Sequence, residues 1–331
     1  MWRRRMSKEL IKRVGLGEEL QMNESYELFL SMMNGEMNEA EIAAVLVGMR
    51  LRGETPEEIA GASKAMNDKK VKFVTSVNAY DTCGTGGSGK STMNISSAVA
   101  LLLSALGLAV VKHGNRAMSG TVGSADVYEL AGVPIDADIE VMQEYYEKNN
   151  FAFLFAPLYH PAMKHAGPVR RAVMVPTIFN FLGPLANPAE LTGQIIGISK
   201  RERLADISSA LLMLDRSGVA IYSSMDGYDE VSSNAMTEVH EVSDGQITKY
   251  FINPEDYFTP FAMPVVKTKE EGLEMFMKAI SPDGGDLNKL IALNAGLALK
   301  VFGSAQSLKA GYDKALETLL AGKVMEKFRS L

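Results

Sequence analysis

Apolar positions recur at helical spacing through the first seventy or so residues. Asn23 opens a set carried by Tyr26, Phe29 and Met33 that stops at Gly35, a natural C-terminal glycine. Asn38 and Glu41 form a capping pattern ahead of Ile42, Val45, Leu46 and Met49, and Gly53 closes that helix. Thr55-Pro56-Glu57-Glu58 combines an N-cap, a proline at the first helical position and a glutamate at the third. No strand-like alternation interrupts the stretch, so residues 1–72 are expected to form a helical domain.

From Val71 onward, short apolar runs alternate with helical stretches. Strands are expected over 79–83, 108–112, 151–155, 194–198 and 219–222, and helices over 94–106, 138–149 and 201–214. This alternation predicts an α/β domain, residues 73–331, with a mostly parallel central sheet covered by helices. Residues 238–251 read as antiparallel, and the last sixty or so are helical again. Gly183-Pro184-Leu185-Ala186-Asn187-Pro188 is too short for a linker and reads as an ordered turn, ending a helical segment near 160–188 that returns to the first domain.

Composition narrows the class. Hydrophobic residues make up 47% and charged ones 22% of 331 residues, as in a soluble globular protein. The single cysteine, Cys83, excludes an internal disulfide or a multi-cysteine zinc site. The longest apolar stretch, 98–111, is broken by Ser104 and Gly107 and is too short to span a bilayer. No apolar run follows the basic residues Arg3 to Arg5, so a cytoplasmic protein without a signal peptide or membrane partner is expected. With 34 basic against 40 acidic residues, a net charge of −6 argues against a nucleic-acid partner, whereas a phosphorylated small molecule needs only a few local cations and a metal.

Two glycine-rich segments carry the candidate chemistry. Asp81-Thr82-Cys83-Gly84-Thr85-Gly86-Gly87-Ser88-Gly89-Lys90-Ser91-Thr92 joins an expected strand to an expected helix, where backbone N–H groups can cradle an anion. Residues 84–91 also spell the nucleotide P-loop pattern letter by letter. That reading is set aside because the strand Val219-Ala220-Ile221-Tyr222 runs into serines instead of the aspartate that would hold magnesium. The second segment starts with Lys112-His113-Gly114-Asn115-Arg116 and continues through Ser119, Gly120 and Ser124. Its cations, amide, hydroxyls and glycines at a strand end suit a polyanion.

Together with Asn94-Ile95-Ser96-Ser97, His160-Pro161-Ala162-Met163-Lys164, Val169-Arg170, residues 177–188 and Asp226-Gly227-Tyr228-Asp229-Glu230, these blocks resemble the anthranilate phosphoribosyltransferase family, in the family's order and over most of the chain. The resemblance implies a small N-terminal helical domain beside a large α/β domain of the nucleoside phosphorylase/phosphoribosyltransferase type, dimerised through the helices. It implies transfer of the phosphoribosyl group of phosphoribosyl pyrophosphate to the amine of anthranilate, in tryptophan biosynthesis, with magnesium accompanying the pyrophosphate. Gly84, Gly87, Ser88, Thr92, Asn94, Ile95, Ser96, Ser97, Lys112, His113, Gly114, Asn115, Arg116, Ser119, Gly120 and Ser124 would hold the donor. Gly84, Asn115, His160, Arg170 and Gly183 would hold anthranilate, and Ser96, Asp229 and Glu230 the Mg2+ ion.

Many members carry an aspartate where this chain has Ser88, with Lys90 close behind, a departure that leans toward the pyrimidine nucleoside phosphorylases. Those enzymes are one alternative, and a non-catalytic nucleic-acid-binding relative of the same fold is another. The amine of anthranilate is neutral at pH 7, so positioning and charge stabilisation suffice and no dedicated acid or base is expected. Of the histidines, His113 and His160 are expected in pocket walls, His165 in a structural or site-facing role, and His240 on the surface. The apolar residues Tyr26, Phe29, Leu46 and Met49 are generous for so small a domain, which favours a homodimer through the helices.

Overall fold

A computed structural model describes residues 2–86, 89–116 and 122–331. The chain divides into two compact units: Met1–Lys72 with Pro157–Pro188 and Ala205–Arg216, and Phe73–Ala156 with Ala189–Leu204 and Ser217–Leu331. Residues 205–216, within the stretch expected to form the α/β domain, fall in the first unit.

The first unit opens with four helices, α1 (Trp2–Gly15), α2 (Met22–Met33), α3 (Glu39–Arg52) and α4 (Pro56–Lys69). The caps follow the sequence at α3 and α4, where Asn38 and Thr55 accept from the Glu41 and Glu58 N–H groups and the glutamates reach back. At α2 the cap is Gln21 with Glu24, and Asn23 lies inside the first turn. Its carbonyl oxygen accepts from the neighbouring Glu24 N–H, so it serves the turn without starting it. Glu58, fully buried, also accepts from Leu20 N at 3.0 Å and pairs with Arg52, tying the chain before α2 to the start of α4. A Cβ at Gly61 would stand 2.2 Å from Met22 O, so glycine is what lets α4 lie against α2. Phe29, Leu46 and Met49 are fully buried within the single chain, which removes them as a free dimerisation face; Leu16 and Leu51 are the strongly exposed leucines of this unit, at 69% and 82%. Apolar periodicity marks a covered face without saying what covers it.

The second unit is built on one seven-stranded sheet, in the order β3-β2-β1-β4-β5-β6-β7. Its strands are β1 (Ala79–Gly84), β2 (Ala109–Gly114), β3 (Phe151–Phe155), β4 (Gly193–Gly197), β5 (Val219–Ser224), β6 (Thr237–Ser243) and β7 (Gln246–Ile252). The first five are parallel and the last two antiparallel. Helix α5 (Ile95–Ala105), buried along most of its length, connects β1 to β2. Helices at Lys269–Ile280, Asp286–Val301, Leu308–Leu320 and Lys323–Ser330 close the chain. His240 is buried, not superficial. It sits on β6, between β5 and β7, with its ring 3.1 Å from Glu238, because both faces of that strand are covered. Among the described residues, no helix is long and apolar enough to cross a membrane.

Candidate active site

The chain runs outward from β1 through β2 to β3, then returns to the other side of β1 as β4. That reversal opens a crevice at the carboxyl ends of β1 and β4, where open α/β sheets bind ligands. Gly84 and Gly197, the last residues of the two strands, are register partners. Above them sits the turn leading out of β5. A Cβ on Gly84 would come 2.5 Å from Asp229 Oδ2, and one on Gly197 only 1.6 Å from Asp229 O. The paired glycines are therefore the floor on which the acidic turn rests.

The turn is locked from within. Asp226 accepts from the Ser224 and Ser232 hydroxyls at 2.6 and 2.8 Å, and Asn294 holds both backbone groups of Val231 at 2.9 and 3.0 Å. It is also tied to the glycine loop: Gly86 N donates to Asp229 Oδ2 at 2.8 Å, Thr92 Oγ1 donates to Glu230 Oε1 at 2.8 Å, and Lys90 Nζ donates to Asp226 O. Burial raises the pKa of Asp229. Burial and the neighbouring Asp229 charge push Glu230 up to about 8. Glu230 Oε2 is buried and has no hydrogen-bond partner among the described residues.

A second cluster lies behind the first. Lys112, 2% exposed on β2, donates to Thr82 O and to Ser96 Oγ, the latter at 3.2 Å, and Thr82 Oγ1 donates to Ser96 O at 2.7 Å. Burial lowers the pKa of Lys112, while Asp81 and Cys83 oppose that shift. Ile95 and Ser97 are buried at the start of α5, Ser97 Oγ without a hydrogen-bond partner among the described residues, and Asn94 Nδ2 reaches Val122 O. After β2, Ser124 Oγ donates to Asn115 O, and a Cβ at Gly114 would press on that hydroxyl. His113, the residue before Gly114 on β2, is half-buried. Arg116 turns to Glu129, with two bonds of 2.7 Å, and to Asp136. Gly87, Ser88, Ser119 and Gly120 lie outside the described residues.

His160, Arg170 and Gly183 belong to the first unit. Arg170 is half-buried, with its guanidinium 4.9 Å from the centre of the Phe179 ring and no acidic partner among the described residues. Gly183 has helical dihedrals and open space where a Cβ would stand. Burial and Lys70 push His160 down to about 4. The unfolded chain would protonate this ring near 6.5, before the folded one does, so stability is full above about pH 6.5 and falls as pH drops toward 4. The total loss is at most about 3 kcal/mol. Urea unfolding at pH 7.5 and 5.0 should show a smaller difference for His160→Asn than for the wild type.

Residues 76–325 match the model of the glycosyl transferase family a/b domain, and residues 8–70 that of the family's helical bundle domain. The anthranilate phosphoribosyltransferases of Caldanaerobacter subterraneus subsp. tengcongensis and Geobacillus kaustophilus are 40% and 39% identical to this chain, over 98% of it and 96% and 97% of their own lengths. The chain belongs to the anthranilate phosphoribosyltransferase family. The crystal structure of the anthranilate phosphoribosyltransferase of Thermus thermophilus superposes with a TM-score of 0.87 at 36% identity, covering 97% of each chain. The Saccharomyces cerevisiae anthranilate phosphoribosyltransferase, solved with phosphoribosyl pyrophosphate and Mg, shares the fold at a TM-score of 0.84 and 22% identity, covering 98% of this chain and 97% of its own.

Within this anthranilate phosphoribosyltransferase fold, the place of Gly197 and the contacts of Lys90 are not legible in the local sequence. Gly197 had a weak signal, a glycine closing an apolar strand, but nothing in the sequence says that a turn thirty residues on will rest against it. Lys90 does not lie on a helix as a P-loop lysine would, since α5 starts only at Ile95. Its Nζ stands 4.2 Å from the centre of the Tyr228 ring.

Proposed function

We infer that the chain transfers the phosphoribosyl group of phosphoribosyl pyrophosphate to anthranilate, giving N-(5-phosphoribosyl)anthranilate and pyrophosphate in tryptophan biosynthesis. The observation that carries the reading is the glycine loop fastened to a half-buried acidic pair at the reversal of the sheet, in a chain 40% identical to a relative of that name over nearly its full length. Relatives at this identity favour neither the nucleoside phosphorylase nor the nucleic-acid alternative.

The residues present fit a magnesium ion. Glu230 offers a buried oxygen without a partner, and two neighbouring carboxylates with raised pKa values are relieved by a cation between them. A magnesium ion prefers carboxylate oxygens and keeps several of its own waters, so few protein ligands are needed. Asp229 and Glu230, with Ser96, would hold it, and it would supply neutralisation of the pyrophosphate that departs.

The rest is positioning by the chain. Backbone N–H groups of the glycine loop would receive the donor phosphates, and the Arg170 guanidinium the carboxylate of the acceptor. The bond from C1′ to the pyrophosphate oxygen breaks as the amine nitrogen bonds to C1′, and the nitrogen then releases a proton to solvent. Loss of anthranilate fluorescence on mixing the protein with phosphoribosyl pyrophosphate and Mg2+ tests this reading; an unchanged signal would overturn it. Replacing Asp229 and Glu230 by Asn should raise the Mg2+ concentration giving half-maximal rate about tenfold, the loss of charged ligands costing more than about 1 kcal/mol. An unaltered magnesium requirement would remove the pair from the site.

We also propose a cytoplasmic homodimer joined through the helical unit, with Leu16 and Leu51 as apolar positions left for a partner to cover. A monomeric mass by light scattering at micromolar concentration would contradict the dimer.

A further inference from the structure

Among the described residues, the glycine loop holds the acidic turn at three points, and these differ in what they use. Gly86 and Thr92 bond to carboxylate oxygens of Asp229 and Glu230, the atoms a cation would compete for. Lys90 instead donates to the backbone carbonyl of Asp226 and lies over the face of the Tyr228 ring, 4.2 Å from its centre. This tie spans Gly227, whose φ of +84° makes it the pivot of the turn; a Cβ there would stand 3.6 Å from Lys90 Nζ. Asp226 is occupied on both carboxylate oxygens by Ser224 and Ser232, so the lysine has a fixed carbonyl to grip. A cation competing for the carboxylates of Asp229 and Glu230 would have no claim on the Asp226 carbonyl that Lys90 holds.

We propose that Lys90 is a positioning residue that keeps the 226–230 turn registered on the glycine loop while its two carboxylates engage magnesium and pyrophosphate. The proposal rests on the donor and metal reading above and deepens it. It gives the lysine of the P-loop-like sequence a role with no nucleotide in it: its ammonium acts through the turn, one step removed from the phosphates.

The test is calorimetric binding of phosphoribosyl pyrophosphate to the full-length protein, in EDTA and across a magnesium series, for wild type, Lys90→Met, Lys90→Arg and Tyr228→Leu. At limiting magnesium, Lys90→Met should bind about tenfold more weakly, the loss of a charge-assisted bond and a cation–π contact. The gap should close in EDTA, where the cation has no part, and at saturating magnesium. Arginine, which can both donate to the carbonyl and stack on the ring, should restore binding to within about threefold. Tyr228→Leu, which leaves the lysine in place, should weaken binding about threefold. KM for anthranilate and the melting temperature should stay near wild type in all three variants.

Equal weakening with and without magnesium would make Lys90 a direct phosphate ligand and overturn the proposal, as would wild-type binding in Lys90→Met or no rescue by arginine. ATP hydrolysis by the wild type that Lys90→Met abolishes would overturn it too. A wild type that binds phosphoribosyl pyrophosphate but consumes no anthranilate would instead defeat the acceptor reading and leave this comparison standing.

Discussion

Gly197→Ala should lower the rate of anthranilate consumption at least about 100-fold, because a displacement of the order of 1 Å at a phosphate site is enough for that. The new Cβ would be 1.6 Å from Asp229 O, a backbone atom that cannot rotate aside. Strand β4 is hydrogen-bonded on both sides, by β1 and β5, so the turn is the part that gives way and carries Asp229 and Glu230 with it. The protein should still fold, at a cost of about 1–3 kcal/mol for overpacking. Gly15→Ala, where a Cβ meets open space, should leave the rate unchanged. Near-wild-type turnover by the Gly197 variant, measured beside its thermal unfolding, would show that the turn's placement is irrelevant to the reaction.

For Arg170→Met, KM for anthranilate should rise by a factor of about 30 or more, with KM for phosphoribosyl pyrophosphate little changed. The guanidinium is half-buried, stacked on Phe179 and without an acidic partner among the described residues, and burial lowers its pKa. A guanidinium keeps its charge in such surroundings, and the ortho carboxylate of anthranilate would supply the missing partner. Losing one such pair costs about 2–5 kcal/mol, and about 1.4 kcal/mol is tenfold in affinity. Methionine preserves the apolar contact with the ring, which separates charge from packing. Lysine should recover only part of the affinity, since it cannot form two parallel bonds. The exposed neighbour Arg171, replaced by alanine, should change little. Equal rises in both KM values would defeat the assignment.

The central strands were legible because parallel strands buried on both faces show as continuous apolar runs ending at small residues. Phe151–Phe155 carries the expected bounds, and Ala79–Gly84 and Val219–Ser224 extend theirs by one and two residues. The Thr55 and Asn38 caps were legible because their chemistry is local. Where the outcome depended on what lies across the chain, the sequence was silent. His240 stands in a run with Glu238 and Glu241 that looks solvated, yet it is 2% exposed on a strand placed between β5 and β7. Of the candidate site, the position of both glycine-rich segments at strand ends could be read directly. What could not be read was how the loops share the work: Lys112 turned inward to Thr82 and Ser96, Arg116 engaged by Glu129 and Asp136, and a floor of two glycines from strands more than a hundred residues apart.

The helical unit is assembled from three stretches, the last of which ends at Arg216. During synthesis, α1 to α4 leave the ribosome long before the segments that complete their surroundings, including Phe179, which packs edge-on against Phe29 at 5.9 Å. A nascent chain of seventy residues therefore holds an unfinished core, and maturation of this unit must wait while β1, β2, β3 and β4 are translated. Ribosome-bound chains halted just past residue 72 should be readily digested by protease, whereas chains halted well beyond residue 216 should protect their N-terminal helices, an order of events opposite to the usual maturing of N-terminal domains first.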